Sequence, residues 1–333
     1  MALDYLLSGG VNMKIGLLTV LFGKKPLEAV LKDVTAKGIE AIELGAGAFP
    51  GSNHLDVPKL LRSPREVDRL KGLCKDYGVI ISALSVHGNP VHPNKKIAKE
   101  HHRLFENACK LAKLLGVRRV NTFSGCPGDS ISSKYPNWVT CSWPPDFLEI
   151  LDYQWNKVLI PYWKKTVPFA KKYGVNKICL EMHPGFCVHN PETLLKLRAA
   201  AGKSIGANFD PSHLWWQGMD PVEALKALKG AVYHFHVKDC HIDPHNTQVN
   251  GVLDTKHYGD VLNRSWIFRT VGYGHGADVW TDIFSTLIKI GYDDVVSIEH
   301  EDGLMSVDEG LTKAIEFLQT IVMKEKPGEM WWA

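Results

Sequence analysis

The sequence predicts an α/β fold, a single (β/α)8 TIM barrel with long loops after strands 4 and 7. Strand-like and helix-like segments alternate along the chain, and the strand-like segments are short apolar runs, as parallel strands buried on both faces require. A chain of 333 residues is also long enough for one such barrel with insertions. We therefore expect residues 13–325 to form the barrel and residues 326–333 to form a C-terminal tail.

Each predicted strand is one of these apolar runs, and eight of them follow one another along the chain. In chain order they are Lys14–Val20, Ala41–Gly45, Val79–His87, Arg119–Phe123, Lys177–Met182, Ile205–Asp210, Val232–Val237 and Val295–His300. The segments between them place apolar residues at intervals of three and four, as at Leu27, Val30 and Val34. This is the spacing of a helix that packs one face against a barrel.

Two connections are too long to be simple turns between a strand and the next helix. Residues 124–147 follow the fourth strand and are rich in Pro, Gly, Ser and Trp, and residues 240–276 follow the seventh strand. Because loops that follow barrel strands lie over the active-site face, we expect both to shape a substrate pocket or a partner surface.

Composition and charge restrict the class of protein. The chain is 45% hydrophobic and 23% charged, which is ordinary for a globular protein with a sizeable core. Its net charge is only +3 and its Lys and Arg residues are scattered, so we expect no nucleic acid and a small carbohydrate as the ligand. The seven cysteines form no CxxC pair and no apolar stretch approaches 18 residues. These features predict reduced thiols, no membrane contact and a cytoplasmic location.

Four of the apolar runs end in a side chain that can bind a metal ion. These side chains are Glu181, Asp210, His236 and Glu299, at the ends of the fifth to eighth predicted strands. A single acidic residue at a strand end is most often a cap or a surface charge, but four at successive strand ends indicate a site. Three carboxylates and one imidazole predict one divalent ion, Mn²⁺ in the first place, with Co²⁺, Mg²⁺ or Zn²⁺ as alternatives.

Further candidates follow from the geometry of a strand, in which residues two apart share a face. His183 shares a face with Glu181, and Lys238 shares one with His236, so both are predicted to face the metal. His213 leaves the sixth strand three residues after a predicted ligand and could hang over a bound substrate. His87, at the end of the third strand, is predicted to line the same pocket, whereas His234 is expected to be a buried, hydrogen-bonded histidine.

Five short motifs at or beyond the predicted strand ends occur in a set order. They are Leu180-Glu181, Asp210-x-x-His213, His236-Val237-Lys238-Asp239, Arg269-x-x-Gly272-x-Gly274 and Ile298-Glu299. In this order they resemble the xylose isomerase-like barrel superfamily of sugar phosphate isomerases and epimerases. The superfamily also contains ketose 3-epimerases, inosose dehydratases, catalytic subunits of C-glycoside deglycosidases and endonuclease IV, so the motifs select no single substrate.

The resemblance implies a role for each matched residue. The four strand-end side chains would be the metal ligands, and Glu181 and Glu299 would also act as acid and base on the two faces of the substrate. His213 would contact the substrate, and Arg269 would orient one of its oxygens. The chain departs from the ketose 3-epimerases by a long insertion between Asp239 and Arg269.

The predicted chemistry is removal of a proton beside the carbonyl of a keto sugar or an oxidised sugar derivative. A divalent ion that binds the carbonyl stabilises the enediolate as it forms. Return of the proton makes the enzyme an epimerase or an isomerase, and loss of a leaving group instead makes it a lyase. The lyase alternative covers dehydration of an inosose and cleavage of a 3-oxo-C-glycoside, for which the aromatic loop with Trp143 would provide a platform.

Two weaker alternatives belong to other classes of protein. A nuclease like endonuclease IV would hold three zinc ions with additional histidines, but this chain offers only Asp254-Thr255-Lys256-His257 near the seventh strand and no basic groove. A non-catalytic binding barrel would not need a full set of metal ligands.

The C-terminal tail contains two adjacent tryptophans, Trp331 and Trp332. Two exposed indoles would leave a large apolar patch in water. We therefore expect a homo-oligomer or a complex with a small partner subunit, and the alternative is that both indoles fold back onto their own subunit.

Overall fold

The computed structural model describes residues 13–325 and 331–332. Its strands are β1 (Lys14–Leu18), β2 (Ala41–Gly45), β3 (Ile80–Ser85), β4 (Arg119–Thr122), β5 (Lys177–Glu181), β6 (Ile205–Phe209), β7 (Val232–Val237), β8 (Asp239–Ile242), β9 (Trp266–Arg269) and β10 (Val295–Ile298). Strands β1 to β7 and β10 pair in parallel and close into an eight-stranded barrel, with β10 between β7 and β1. The predicted fold class is confirmed.

Helices surround the barrel and connect its strands. They are α1 (Leu27–Ala36), α2 (Val57–Leu60), α3 (Pro64–Asp76), α4 (Lys95–Leu115), α5 (Asp146–Asp152), α6 (Ile160–Lys172), α7 (Pro191–Ala201), α8 (Ser212–Trp215), α9 (Pro221–Ala227), α10 (Pro244–Asn250), α11 (Ala277–Lys289) and α12 (Val307–Ile321). Side-chain caps begin several of them, such as Asn94 at α4 and Asn190 at α7. Within the described residues, no helix combines the length and apolarity needed to cross a membrane.

The hydrophobic core lies between the barrel and its helices. Strands β2 and β6 are buried along their whole length, and Leu44 and Phe209 belong to this core. The inside of the barrel is more polar. Glu43, Asn208 and His236 are each 0% exposed. Buried polar groups of this kind require hydrogen-bond partners, and these residues find them in one another.

Two irregularities of strand register lie beside polar residues of the barrel interior. The pairing of β2 with β3 shifts between Ile42 and Glu43, and the pairing of β6 with β7 shifts between Ala207 and Asn208. An extra residue in one strand of a pair re-aims the neighbouring side chains. The extra residues are Ser82 of β3 and Tyr233 of β7, so the shifts bring Ala83 opposite Glu43 and His234 opposite Asn208.

The two predicted long loops differ in structure. The first, after β4, has no regular structure up to α5. The second contains an antiparallel ribbon of β8 and β9, with α10 between them, which the sequence analysis did not predict. The Trp266 ring of the ribbon stacks on that of Trp216, with centroids 4.5 Å apart and 6° between the planes.

Asp239 holds the chain after the ribbon in place. Its Oδ2 accepts hydrogen bonds from the backbone N–H groups of Gly272 (3.0 Å), Gly274 (3.1 Å) and His275 (3.0 Å). The Nε1 of Trp280 donates to the same oxygen at 3.1 Å. Asp239 is completely buried. The Asp and the two glycines of the sequence motifs therefore form one structural unit next to the barrel mouth.

The tail tryptophans are exposed in the structure. Trp331 is 88% and Trp332 is 69% exposed, with ring centroids 5.7 Å apart. Neither indole is buried against its own chain, in contrast to the alternative considered from the sequence. Residues 326–330 and 333, which belong to the predicted tail, lie outside the described residues.

Replacement of Gly274 by Ala should destabilise the protein. A Cβ atom at Gly274 would overlap the carbonyl oxygen of Cys240 and approach Asp239 Oδ1 to 2.5 Å, and this backbone cannot move without breaking the Asp239 hydrogen bonds. We expect a loss of about 1–3 kcal/mol in the free energy of unfolding, measured by urea titration. Gly72→Ala, inside α3 and with open space around it, is the control and should gain about 0.5–1 kcal/mol. Equal stability of the two variants would contradict the packing described for Gly274.

Candidate metal centre

The structure brings the four predicted ligands to the carboxyl end of the barrel. Glu181 ends β5, His236 lies near the end of β7, and Asp210 and Glu299 directly follow β6 and β10. His236 Nδ1 lies 3.0 Å from Glu299 Oε2 and 3.6 Å from Glu181 Oε2. One ligand atom from each of these three residues lies within 4.8 Å of the others, close enough to share a metal ion.

Asp210 joins the other carboxylates through Lys238. The ammonium nitrogen of Lys238 lies 3.0 Å from Asp210 Oδ2 and 2.8 Å from Glu299 Oε2. As period-two geometry predicts, Lys238 points to the same face of β7 as His236. Within the described part of the chain, Asp210 Oδ2 accepts no hydrogen bond of good geometry. A buried carboxylate oxygen that accepts no well-aligned hydrogen bond is a suitable ligand for a metal ion.

Three histidines predicted to line the pocket cluster around Glu181. His213 Nε2 lies 3.0 Å from Glu181 Oε1, and His87 Nε2 lies 3.0 Å from Glu181 Oε2. The His183 ring lies 4.1 Å from the His213 ring, measured between centroids. Each oxygen of Glu181 therefore has an imidazole nitrogen 3.0 Å away, and the contact of these histidines with a substrate stays a prediction.

The pKa values show how the buried charges balance. Burial raises the pKa of Asp210 to about 6. Burial alone would also raise the pKa of Glu299, but the charges of Lys238 and His236 lower it. Burial opposes the charge of Lys238, yet Asp210 and Glu299 hold its pKa well above the usual value. Burial lowers the pKa of His183 to about 4, so this imidazole is neutral near pH 7.

This balance leaves the site suited to a cation. Three carboxylates meet here, and burial of each is costly unless positive charge compensates it. Burial opposes the charge of His236 as well, but Glu43 and Glu299 raise its pKa well above the usual value. A divalent ion would neutralise these carboxylates in place of the positive charge on His236. The carboxylate and imidazole donors fit Mn²⁺, Co²⁺, Mg²⁺ or Zn²⁺.

Glu43, which the sequence analysis did not select, lies below the predicted ligands in the barrel. Its Oε2 is 2.7 Å from His234 Nε2 and 3.0 Å from His236 Nε2. His234 is thus buried and hydrogen-bonded, as expected. A carboxylate between Ile42 and Leu44 in an apolar strand was the signal that could have identified Glu43, because a buried strand rarely carries an isolated charge.

Phe268, and not its neighbour Arg269, is the ribbon residue that contacts the site. The Phe268 ring lies 4.7 Å from Lys238 Nζ and 5.4 Å from the His213 ring. Arg269 Nε lies 3.1 Å from Asp302 Oδ2, and the ion pairs among the described residues do not link it to the four predicted ligands. Adjacent strand residues point to opposite faces, which explains the difference. The role of Arg269 on a substrate oxygen stays a prediction.

A cavity of about 500 Å³ opens beside the centre. His183, Tyr258 and Phe268 line it together with the acidic residues Glu301 and Asp302. The Tyr258 and Phe268 rings stack 5.7 Å apart with 17° between their planes. Of the described residues that line the cavity, none is a lysine or an arginine. The cavity therefore offers an aromatic wall and no cation for an anionic ligand.

Trp143 lies in the loop after β4, with its side chain 74% exposed. It does not line the cavity beside the predicted ligands as the structure describes it. Its contact with a substrate stays a prediction.

Comparison with known proteins agrees with this architecture. A family model described as xylose isomerase-like TIM barrel matches residues 31–321. The protein YfiH of Bacillus subtilis (strain 168) is 38% identical over 312 residues, which cover 93% of this chain and 99% of that protein. A crystal structure of the IolI protein with a zinc atom has a TM-score of 0.64 at 20% identity, covering 94% of this chain and 99% of that chain. A D-tagatose 3-epimerase-like protein has a TM-score of 0.60 at 23% identity, covering 93% and 98%. The two structures show that the fold is shared.

A divalent ion should raise the unfolding temperature, because a ligand that binds only the folded chain stabilises it. At a free Mn²⁺ concentration of about 100 times Kd, the gain is about 2.7 kcal/mol. Thermal melts of EDTA-treated protein, titrated with Mn²⁺, measure this gain. The variant His236→Gln lacks the imidazole between Glu181 and Glu299 and should respond much less. A wild-type unfolding temperature that is insensitive to Mn²⁺, Co²⁺, Mg²⁺ and Zn²⁺ would argue against a metal centre.

Proposed function

Because the chain belongs to the xylose isomerase-like TIM barrel family, we propose that it is a divalent-metal-dependent sugar isomerase or epimerase. It would move a proton beside the carbonyl of a keto sugar or an oxidised sugar derivative. The observation that carries the proposal is the meeting of Glu181 and Glu299 at one nitrogen of His236, at 3.6 and 3.0 Å from its Nδ1. Two carboxylates around one metal-binding imidazole suit a reaction that needs both an acid and a base.

The residues proposed to hold the ion are Glu181, Asp210, His236 and Glu299. When bound, a divalent ion polarises a substrate carbonyl and stabilises the negative charge that develops as the neighbouring proton leaves. Mn²⁺ is the proposed ion. The structure of the IolI protein, which shares this fold, contains a bound zinc atom, and this supports a divalent ion as the cofactor.

Glu299 is the proposed base. Its side chain is 16% exposed, whereas those of Glu181 and Asp210 are 4% and 1% exposed. Within the described residues, its polar contacts with His236 and Lys238 run through Oε2. The other oxygen is therefore available to take a proton from a substrate in the barrel mouth.

Glu181 and His213 are the proposed proton donor and substrate contact on the opposite face. The 3.0 Å approach of His213 Nε2 to Glu181 Oε1 allows a proton to be shared between the two groups. Burial lowers the pKa of His213, which favours the release of its proton. His87 keeps the second oxygen of Glu181 in place.

Lys238, His183 and Arg269 are proposed to hold substrate oxygens. The ammonium of Lys238 already lies among carboxylate oxygens at 2.8–3.4 Å, so an oxygen of a substrate bound there would come within its reach. His183 lines the cavity next to this point. The neutral His183 donates its Nδ1–H to the carbonyl oxygen of Pro184, so its Nε2 is left to accept a hydrogen bond from a hydroxyl group.

The aromatic cavity favours a second candidate function, a lyase that cleaves a 3-oxo-C-glycoside. A sugar ring at the proposed metal centre would leave its attached group beside Tyr258 and Phe268. Stacking on such an aromatic wall suits a planar, uncharged group. The same acid and base pair would serve, because loss of a leaving group also begins with removal of a proton beside a carbonyl.

A cytoplasmic location is also proposed. Its support is chemical, since all seven cysteines are free in the structure and six of them are buried. The proposed ligand is a small carbohydrate, and the absence of lysine and arginine from the described cavity lining supports an uncharged one.

Deuterium exchange tests the proposed reaction. The protein with Mn²⁺ is incubated in deuterated water with a panel of keto sugars, inososes and 3-oxo-glycosides, and exchange at the carbon beside the carbonyl is the expected result. Release of the attached group from a 3-oxo-glycoside would select the lyase, and absence of exchange throughout the panel would contradict the proton transfer. Glu299→Gln keeps an oxygen for the ion but removes the base, so exchange should slow by about 10²–10⁴-fold. The control Glu309→Gln removes a half-exposed carboxylate that pairs with Lys313 on α12 and should keep the rate.

We propose that the tail mediates assembly, either into a homo-oligomer or with a small partner subunit. Burial of one indole stabilises an interface by roughly 1.5–3 kcal/mol, and Trp331 and Trp332 are both available. Deletion of residues 326–333 should therefore reduce the mass measured in solution by light scattering. The full-length double variant Trp331→Ser and Trp332→Ser should behave in the same way. An unchanged mass in both would show that the tail is not an interface.

A further inference from the structure

His236 lies between two groups of carboxylates, one on each ring nitrogen. Its Nδ1 is directed towards Glu299 and Glu181 at the barrel mouth, 3.0 and 3.6 Å away. Its Nε2 is directed into the barrel, where the two oxygens of Glu43 lie 3.1 and 3.0 Å away. His236 and Glu43 are both 0% exposed, so water does not compete for the contact between them. The imidazole therefore links the mouth of the barrel to its interior.

We propose that Glu43 is a positioning residue that keeps the proton of His236 on Nε2 and so directs the lone pair of Nδ1 to the metal ion. This inference rests on the proposed metal centre. A neutral imidazole carries one N–H donor and one acceptor nitrogen, and only the acceptor can bind a metal. An ionised carboxylate accepts hydrogen bonds and donates none, and carboxylates lie at both ring nitrogens. With Glu299 and Glu181 engaged by the proposed ion, Glu43 would be the remaining acceptor, and it would keep the proton on Nε2.

Glu43 is itself held from several strands. Asn121 Nδ2 on β4 donates to it at 2.8 Å, and Ser85 Oγ on β3 donates to the same oxygen. His234 Nε2 on β7 lies 2.7 Å from the other oxygen. A carboxylate fixed in this way can fix the ring that contacts it.

The cluster of Glu43, His234 and His236 is better explained by hydrogen bonds than by a second metal ion. These three residues lie close enough together to hold an ion. However, the oxygens of Glu43 already have four donors at hydrogen-bond distance, from Ser85, Asn121, His234 and His236. An ion at this place would have to displace protons from both imidazoles. With protons on the two imidazoles, hydrogen bonds satisfy the same groups and no ion is needed.

The tautomer can be observed without any substitution. Nitrogen NMR of protein labelled with ¹⁵N-histidine and loaded with Zn²⁺ should show His236 with a proton on Nε2 and the ion on Nδ1. The signals are assigned by their loss in His236→Gln. A proton on Nδ1, or Zn²⁺ on Nε2, would overturn the inference. If Glu43 contributed only to folding, it would not determine which nitrogen of His236 carries the proton.

Metal affinity gives the second measurement. Glu43→Gln preserves the shape of the side chain but replaces an acceptor oxygen with an amide that can donate, so Mn²⁺ affinity should fall about 10–100-fold in calorimetric titration. Ser82→Ala is the control, because the buried Ser82 of β3 donates to the backbone carbonyl of Ile42 and not to Glu43 or His236, and its affinity should stay close to that of the wild type. Circular dichroism melts establish that both variants are folded.

The outcomes separate the two proposals. Equal Mn²⁺ affinity in wild type and Glu43→Gln overturns the role of Glu43 alone, as does an equal loss in Ser82→Ala. Failure of the wild-type protein to bind any divalent ion overturns the proposed metal centre and this inference with it. A selective loss in Glu43→Gln, together with the Nε2 proton of His236 in the wild type, supports both.

Discussion

Burial of carboxylates inside the barrel is the constraint on which the rest of the site depends. Glu43, Glu181 and Asp210 are at most 3% exposed, and a buried ion is stable only where charges or hydrogen bonds compensate it. The compensation is shared: His234 and His236 contact Glu43, and Lys238 lies against Asp210. No single pair accounts for this arrangement, and loss of one partner would leave a buried charge without compensation.

The compensating groups come from strands that are far apart in sequence, so closure of the barrel is what assembles them. Glu43 on β2 meets His234 and His236 on β7, 191 and 193 residues later. This pairing crosses the barrel interior, because β2 and β7 are not neighbours in the sheet. The polar layer can form only when all eight strands are in register. The register of the strands therefore determines whether the buried charges are compensated. The two register shifts beside Glu43 and Asn208 are part of that register.

The sequence allowed prediction of the strands and of the groups at their ends, because both depend on local pattern. Apolar runs locate β5, β6, β7 and β10, and parallel topology then brings Glu181, Asp210, His236 and Glu299 to one face. Glu43 and Phe268 were missed for the opposite reason. Glu43 lies within a strand, and it is its contacts with β7 in the folded barrel that link it to the site. Phe268 reaches the site because an unpredicted ribbon places it there, and the one-residue alternation of that ribbon turns Arg269 towards Asp302.

Glu181 and Glu299 are identical side chains in different surroundings, and the surroundings are the reason for the different roles proposed for them. Both are glutamates at strand ends beside His236, but each oxygen of Glu181 has a histidine nitrogen 3.0 Å away, whereas Glu299 contacts His236 and Lys238 through Oε2 alone. The metal-binding set alone does not distinguish an epimerase, an isomerase and a lyase, since each begins by removing a proton beside a carbonyl. The difference lies in where the proton or the leaving group goes next. In the proposed reaction that choice would be made by His213 beside Glu181 and by the aromatic wall of Tyr258 and Phe268, which are the parts of the site that the loops and the ribbon supply.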